Sequence, residues 1–227
     1  GRGLRTAAAA EMQSRDAGQP WAVAAEMPDR YGQMKIATGL QPEKNKRIAK
    51  VNGEQLRALS SLSDYCSCIW LTPQMDRLFL DSARERRRFL DRLIFGYDPG
   101  HAGRLTRYEN AMRQRAKLLQ DGPADPAWLD GLEAQMSETG VAIAAARLAY
   151  IDRLQRAGHD KTDNPFPLAR LSVSGTIETL MENVPALEAE EMFSYQLKQT
   201  RTQDAQTGGA ATGPHKSDLL ARYPEKD

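Results

Sequence analysis

The sequence predicts an α+β protein in which mostly antiparallel strands are interrupted by an inserted α-helical portion containing one long helix. Three observations predict it: a period of two over residues 21 to 51, a helical period after Pro73 lasting to about residue 157, and renewed alternation over 168 to 175. At 227 residues, 41% hydrophobic and 27% charged with few aromatics, the chain is long enough for a sizeable core and suits long amphipathic helices. The expected division is a β meander over 1–75, a helical portion over 76–165, and a strand, helix and loop over 166–227 that return toward the sheet.

In the first portion, WAVAAEM sets Trp21, Val23, Ala25 and Met27 on one side, and QMKIATGL does the same for Met34, Ile36, Thr38 and Leu40. Asp29 and Gly32 supply turn chemistry between them, and Asn52-Gly53 is a tight hairpin signal, so an antiparallel meander is expected. YCSCIWLT at 65–72 reads as a buried strand stopped by Pro73. Helices are then expected at about 76–95, where Phe89, Leu90, Leu93 and Ile94 recur at three and four, and at 103–120, with Leu105, Tyr108, Met112 and Leu119. DGPADP breaks the chain, and Asp125 before Pro126 is a helix-start signal. The helix it opens, about 126–157, carries a stripe from Trp128 through Leu132, Met136, Ile143 and Tyr150 to Leu154 and stops at Gly158. At 1.5 Å per residue it spans about 48 Å, which suggests a helical arm or hairpin. LARLSVSG at 168–175 alternates as a strand, one helix is expected at about 185–202, and QDAQTGGAATG reads as a flexible loop.

A net charge of +1 provides no global field toward a polyanion, so any phosphate contact must come from clustered arginines. Cys66 and Cys68 are too close to staple a framework and fit a reducing, cytoplasmic setting. The histidines lack ligand spacing, so no metal site is expected. With no run of about 18 apolar residues and no charged-then-apolar leader, neither a membrane span nor a signal peptide is expected. The chain opens GRGLRT without a methionine, which suggests a segment of a longer protein. G-x-S-x-G, H-E-x-x-H and G-x-x-x-x-G-K-[ST] motifs do not occur.

The cluster Arg86, Arg87, Arg88 is the first candidate site. Arg87 and Arg88 stand four and three residues before Asp91 and can pair with it on a helix surface, each pair contributing about 0.3–0.5 kcal/mol. They are either a solvated face or a phosphate contact. Gln74, in TPQ, leads from a strand into a helix, where sheet domains present groups to ligands, and could orient a water. Arg115 falls on the apolar stripe of its helix, where it must find a partner or snorkel; snorkelling is the expectation. His215, in TGPHK, lies in a tight turn that is either plain or ligand-facing.

Taken in order, WLTPQMDRLFL, RRRFLDRL, RYENAMRQRAKLL, DPAWLDGLE and TGPHKSDL resemble the bacterial RecF family, and the likeness runs from GRGLR to the last residues. The resemblance implies an ABC-type ATPase lobe, related to the heads of SMC and Rad50 proteins, with a helical second lobe. It implies ATP and Mg2+ as cofactors, ATP-dependent dimerisation, binding of single- and double-stranded DNA, and help in loading recombinase at gaps with the mediators RecR and RecO. Hydrolysis in such a protein is slow. The family's Walker A loop is expected before GRGLR, and its signature motif and Walker B after GPHKSDL, so these 227 residues alone are not expected to hydrolyse ATP. By the resemblance, Arg5 matches a nucleotide- or DNA-approaching arginine, and Gln74 a Q-loop-like position. Arg87, Arg88 and Asp91 match the RRxFLD motif, with Asp91 orienting the arginines and Arg86 left as the solvated one. Tyr108, Arg115, Gly213, Pro214, His215 and Lys216 match further family motifs. Two other classes remain: a helical protein-interaction module, and a free-standing DNA-binding domain without nucleotide chemistry.

Overall fold

Where the sequence alternates, the chain pairs. The computed structural model describes residues 7–30, 32–122, 125–159 and 168–223, and within them the chain divides into two compact units, Gly1–Cys68 and Ile69–Asp227. The first is a four-stranded antiparallel meander: β1 (Ala22–Asp29), β2 (Gly32–Gln41), β3 (Lys46–Val51) and β4 (Glu54–Gln55), in that spatial order. β1 pairs with β2 from Ala22↔Gly39 to Asp29↔Gly32, and β2 with β3 from Ile36↔Val51 to Gln41↔Lys46. Asn52 and Gly53 both have positive φ, 50° and 90°, as a two-residue turn matched to the strand twist requires. The Asn52 side chain locks that turn by accepting the Lys35 N–H at 2.8 Å. Alternation shows on β2 and β3, where Ile36, Ala49 and Val51 are buried, whereas edge strand β1 leaves Val23 61% exposed.

Residues 65–72 do not form the expected strand. No described strand pairs with them, and Ile69 and Leu71 are 67% and 76% exposed. A β-run needs a neighbouring ladder as well as apolar side chains, and here the ladder is missing. Nor does a helix begin at 76: Pro73–Arg77 make a 3-10 turn, and Ser82, in extended conformation, takes the N-cap position of the next helix, its carbonyl accepting from Glu85 and Arg86.

The second unit holds α1 (Ala83–Tyr97), α2 (Gly100–Gln120), α3 (Pro126–His159), β5 (Arg170–Ser174), α4 (Thr176–Asn183), α5 (Ala186–Gln199), α6 (Arg201–Thr207) and β6 (Asp218–Arg222). Asp125 caps α3 as expected, accepting the Ala127 N–H at 2.9 Å. At 34 residues, α3 spans about 51 Å. It forms a hairpin with α2 but does not stand off as an arm, because α5, α4 and β5 pack along its other sides. Its middle is buried nearly all round, at Met136, Val141, Ile143 and Ala144, while Trp128 and Leu154, at the ends of the expected stripe, are exposed. One core joins Tyr108, Leu132, Met136, Ile143, Ile177, Phe193 and Leu197; a second joins Leu90, Ile94, Ile151, Val173 and Leu219. β5 and β6 pair antiparallel from Arg170↔Arg222 to Ser174↔Asp218.

Two local expectations change. α4 occupies residues where no helix was expected, and the stretch 203–213 is neither loose nor all loop: α6 continues to Thr207, ends at Gly208 with φ 78°, and Asp204 and Ala210 behind it are buried. No helix among the described residues is long and apolar enough to cross a membrane.

Candidate functional site

The helical unit converges on the irregular stretch between α6 and β6. From α1, Arg86 forks onto both carboxylate oxygens of Asp218 at 2.7 Å and also donates to the Asp81 carbonyl at 2.6 Å. Arg87, one residue on and turned inward, donates to the Ser217 carbonyl. From α3, Arg147, 2% exposed, donates to the Pro214 carbonyl at 2.6 Å and forks onto Asp91 at 2.9 and 2.8 Å. From α4, Glu178 accepts the Ser217 hydroxyl at 2.9 Å, its other oxygen 3.9 Å from Arg147. From α2, Tyr108 meets His215 Nδ1 at 2.8 Å. Residues 214–218 are therefore held by side chains from four helices, although they contain no regular structure before Asp218.

The partners fix the protonation pattern. His215 Nε2 faces the Ala210 carbonyl at 3.0 Å, a pure acceptor, so Nε2 carries the hydrogen and Nδ1 accepts from the Tyr108 hydroxyl. Burial, with help from the Lys216 and Arg87 charges, lowers the His215 pKa against a weaker raising effect of the Ala210 bond. Burial likewise pushes the Tyr108 phenol above its ordinary range. For Asp91, burial favours the neutral acid, but hydrogen bonds from His101 (3.0 Å) and Arg147 outweigh it and hold the carboxyl below its ordinary value. Arg87 is lowered by burial first and then by the neighbouring Arg147 charge.

A second buried network lies at the other end of α2. Arg115, 1% exposed, donates to Glu133 and Asp204 at 2.8 Å and to the Leu197 carbonyl at 2.6 Å. Arg201 adds a second cation to Glu133, and the Thr200 hydroxyl and the Ala211 N–H donate to Asp204. Arg115 is thus fully paired rather than snorkelling, because acids from α3 and α6 meet it inside the core.

Beside the first network a cleft of about 890 Å3 opens between α1, α2, α3 and the Pro214–His215 turn. Arg84, Arg88 and Arg92 follow one another along the α1 face, with Phe95 below. Ala102, Leu105, Glu109, Met112 and Arg113 line the α2 side, while Arg87, Arg147 and Ile143 close the back. The lining contains six arginines against two carboxylates, Asp91 and Glu109. Like charges at i, i+4 each destabilise a helix by about 0.2–0.5 kcal/mol, so the spacing of Arg84, Arg88 and Arg92 opposes helix stability. Arg92 is held between the Trp70 and Phe89 rings, 4.7 and 5.3 Å from their centroids. Arg88 reaches only Glu85, at 4.0 Å, and Arg84 has no ion-pair partner among the described residues.

Of the residues singled out in the sequence, Arg87, Arg88, Asp91, Tyr108, Pro214 and His215 line this cleft, whereas Arg115 lies in the other network and Lys216 is solvent-exposed. The expected pairing within RRxFLD is not formed. Asp91 turns to Arg147 and His101; Arg86, expected to be solvated, makes the bidentate bridge; and Arg88, with its side chain 81% exposed, is the solvated member. Helical spacing allowed the local pairs, but a buried guanidinium on another helix offers Asp91 two bonds in one plane. Arg5 lies outside the described residues, and Gln74 is placed only as backbone in the 73–77 turn. Sequence reasoning missed Arg147, Glu133, Glu178, Asp204 and His101. Arg147 alone gave a signal, as one charge inside the apolar run VAIAAARLAY.

Comparison with known proteins agrees with this organisation. No family model matches the chain. Among curated proteins, the whole chain is similar to DNA replication and repair protein RecF of Mesorhizobium japonicum, 42% identical over 236 residues and covering 60% of that protein. The RecF proteins of Caulobacter vibrioides, 41% identical and 62% covered, and of Rhizobium meliloti, 39% identical and 61% covered, are similar too. Among solved structures, the fold is like that of the recombination mediator protein RecF bound to ATPrS, with a TM-score of 0.77, 18% identity, and coverage of 97% of this chain and 60% of that one. It is also like the same mediator bound to ATP, with a TM-score of 0.71 and 18% identity. The chain therefore shares the fold of these RecF structures, antiparallel sheets combined with a large helical region. The chain belongs to the RecF family, and it spans about three fifths of the length of the curated relatives it matches.

Proposed function

We propose that the chain is the part of a RecF-type DNA repair and replication protein in which a helical unit governs the position of the segment leading to the nucleotide site. The intact protein binds ATP and DNA, dimerises when ATP is bound, and helps RecR and RecO load recombinase at single-strand gaps in the cytoplasm. The observation that carries this reading is that the motifs of the resemblance, RRxFLD, RYENAMRQR and GPHKSDL, far apart in sequence, meet at residues 214–218.

The residues present do not by themselves fit ATP and Mg2+. No G-x-x-x-x-G-K-[ST] loop occurs in the sequence, and no group of three metal-ligating side chains occurs among the described residues. When bound in the intact protein, ATP would supply the bridging charge of the dimer. What this chain supplies is orientation: Arg87 and Arg147 hold the backbone of 214–218, Arg86 and Glu178 hold its side chains, and Arg84 and Arg88 offer phosphate-directed charge. Arg5, Gln74 and Lys216 remain expected contributors near nucleotide or DNA. Phosphate contacts position a protein without reading sequence, which suits action at any gap.

A groove between α3 and α5, lined by Leu187 and Tyr195 at 69% and 66% exposure, favours the second reading of a protein-interaction module. The test is made on the full-length protein: sedimentation with and without ATP, and DNA binding in both states, for the parent and for Arg87→Ala, with thermal unfolding alongside. The expected result is ATP-dependent dimerisation and DNA binding in the parent, both weakened in the variant. A parent that neither dimerises nor binds DNA with ATP would remove the mediator reading.

A further inference from the structure

We propose that the arginine-lined cleft of the helical unit binds a nucleotide unit, its phosphate on the Arg84 and Arg88 rim and its base on the floor made by Leu105 and Met112. This deepens the function proposed above by assigning it a surface, and it rests on that reading.

Four observations converge. The cleft, about 890 Å3, is of the size in which proteins enclose small ligands. Its rim carries cations that the fold leaves unspent, since Arg84 has no ion-pair partner among the described residues and Arg88 only a distant one. Other arginines nearby are already engaged: Arg147 is buried and bonded to Asp91 and the Pro214 carbonyl, and Arg92 lies over the Trp70 and Phe89 rings. The floor is apolar and only half-buried, as a surface meant to take a flat ring would be. A purely structural charge face explains none of this arrangement, because spacing like charges at i, i+4 and i+8 opposes helix stability. A bound phosphate reverses the sign of that interaction, and an arginine fork matches its oxygens. The nucleotide unit comes either from a free nucleotide or from a DNA strand, and the chemistry of recognition is shared.

The experiment uses the full-length protein with saturating ATP, so that the family's own nucleotide site is filled. Two probes are titrated: thymidine 3′,5′-bisphosphate by calorimetry and fluorescein-labelled dT10 by anisotropy over a range of salt. Arg84→Ser/Arg88→Ser is compared with Arg107→Ser/Arg170→Ser, which removes the same charge from exposed positions that do not line the cleft. The cleft variant is expected to bind at least one probe about tenfold more weakly, and its salt slope for dT10 to fall by about 1 to 1.5, with the control within about twofold of the parent. Loss of the bisphosphate assigns a free nucleotide; loss of dT10 alone assigns a strand; either supports the site. Equal weakening in both variants, or none in the cleft variant, overturns it. In that case ATP-dependent DNA binding by the parent leaves the mediator reading standing, whereas a parent binding neither probe removes both.

Discussion

Replacing Arg147 by methionine keeps most of the side-chain volume and deletes four electrostatic contacts at once. Asp91 loses its fork and keeps the His101 hydrogen bond, the Pro214 carbonyl loses its buried donor, and Glu178, 1% exposed, loses its ion-pair partner among the described residues. Breaking a buried ion pair by removing one partner costs about 3–5 kcal/mol, because the other charge stays buried and uncompensated. For a unit of this size each kcal/mol lowers Tm by about 2–4 °C, so a fall of roughly 6–20 °C is expected by calorimetry or circular dichroism. Asp91→Asn in the same background separates the pair from the packing. If the two groups act together, the double variant is less destabilised than the sum of the singles by about 1–3 kcal/mol. The acid limb carries the same signature. The Asp91 carboxyl is held below its unfolded value, so its contribution is complete above about pH 4 and disappears as pH falls through the folded pKa. A loss under 1 kcal/mol, with additive singles, would refute the view that Arg147 organises this site.

His215 has a lowered pKa in the fold, so the neutral ring is the stabilising form: its contribution is complete above about pH 6.5 and is lost as pH falls through the folded value. His215→Gln should flatten the decline in Tm that sets in as pH falls below about 6.5, above the range of Asp91. Gly213 has φ 136°, and a methyl group there would meet the Tyr108 hydroxyl, so Gly213→Ala should destabilise by more than about 1–3 kcal/mol in chemical denaturation. Arg115→Met should cost about 3–5 kcal/mol by the same measurement, since Asp204 would keep only the Thr200 and Ala211 donors. Arg88→Ala, at a solvated side chain, should stay within about 0.5 kcal/mol of the parent while still weakening any phosphate contact.

What the sequence disclosed depended on the range of the interaction. Asn52-Gly53 and Asp125-Pro126 encode their geometry in adjacent residues, and both adopt it. The meander was legible because alternation is a local property. Residues 65–72 misled because their apolar composition satisfies the local requirement for a strand, whereas pairing depends on a neighbour the run cannot specify. The candidate site lay at the far end of that scale. That Arg86 reaches Asp218 and Arg147 reaches Asp91 is set by how α1, α3 and β6 pack, and i, i+4 spacing pointed Asp91 to the wrong arginines. Arg115 shows the same limit: its placement on an apolar stripe was readable, but its acids sit on α3 and α6.

Residues 214–217 look like a connection and are anchored like a core. Loops ordinarily accept insertions, vary in length and exchange their amides early, because little but solvent holds their backbone. Here two backbone carbonyls and two side chains of these residues, with the side chain of the adjoining Asp218, are tied to α1, α2, α3 and α4, so the stretch can open only when those helices part. Energetically it belongs to the same cooperative unit as the helices. A displacement of β6 along its axis would therefore be shared by the whole helical unit, and an added residue at this point would be felt as a core defect.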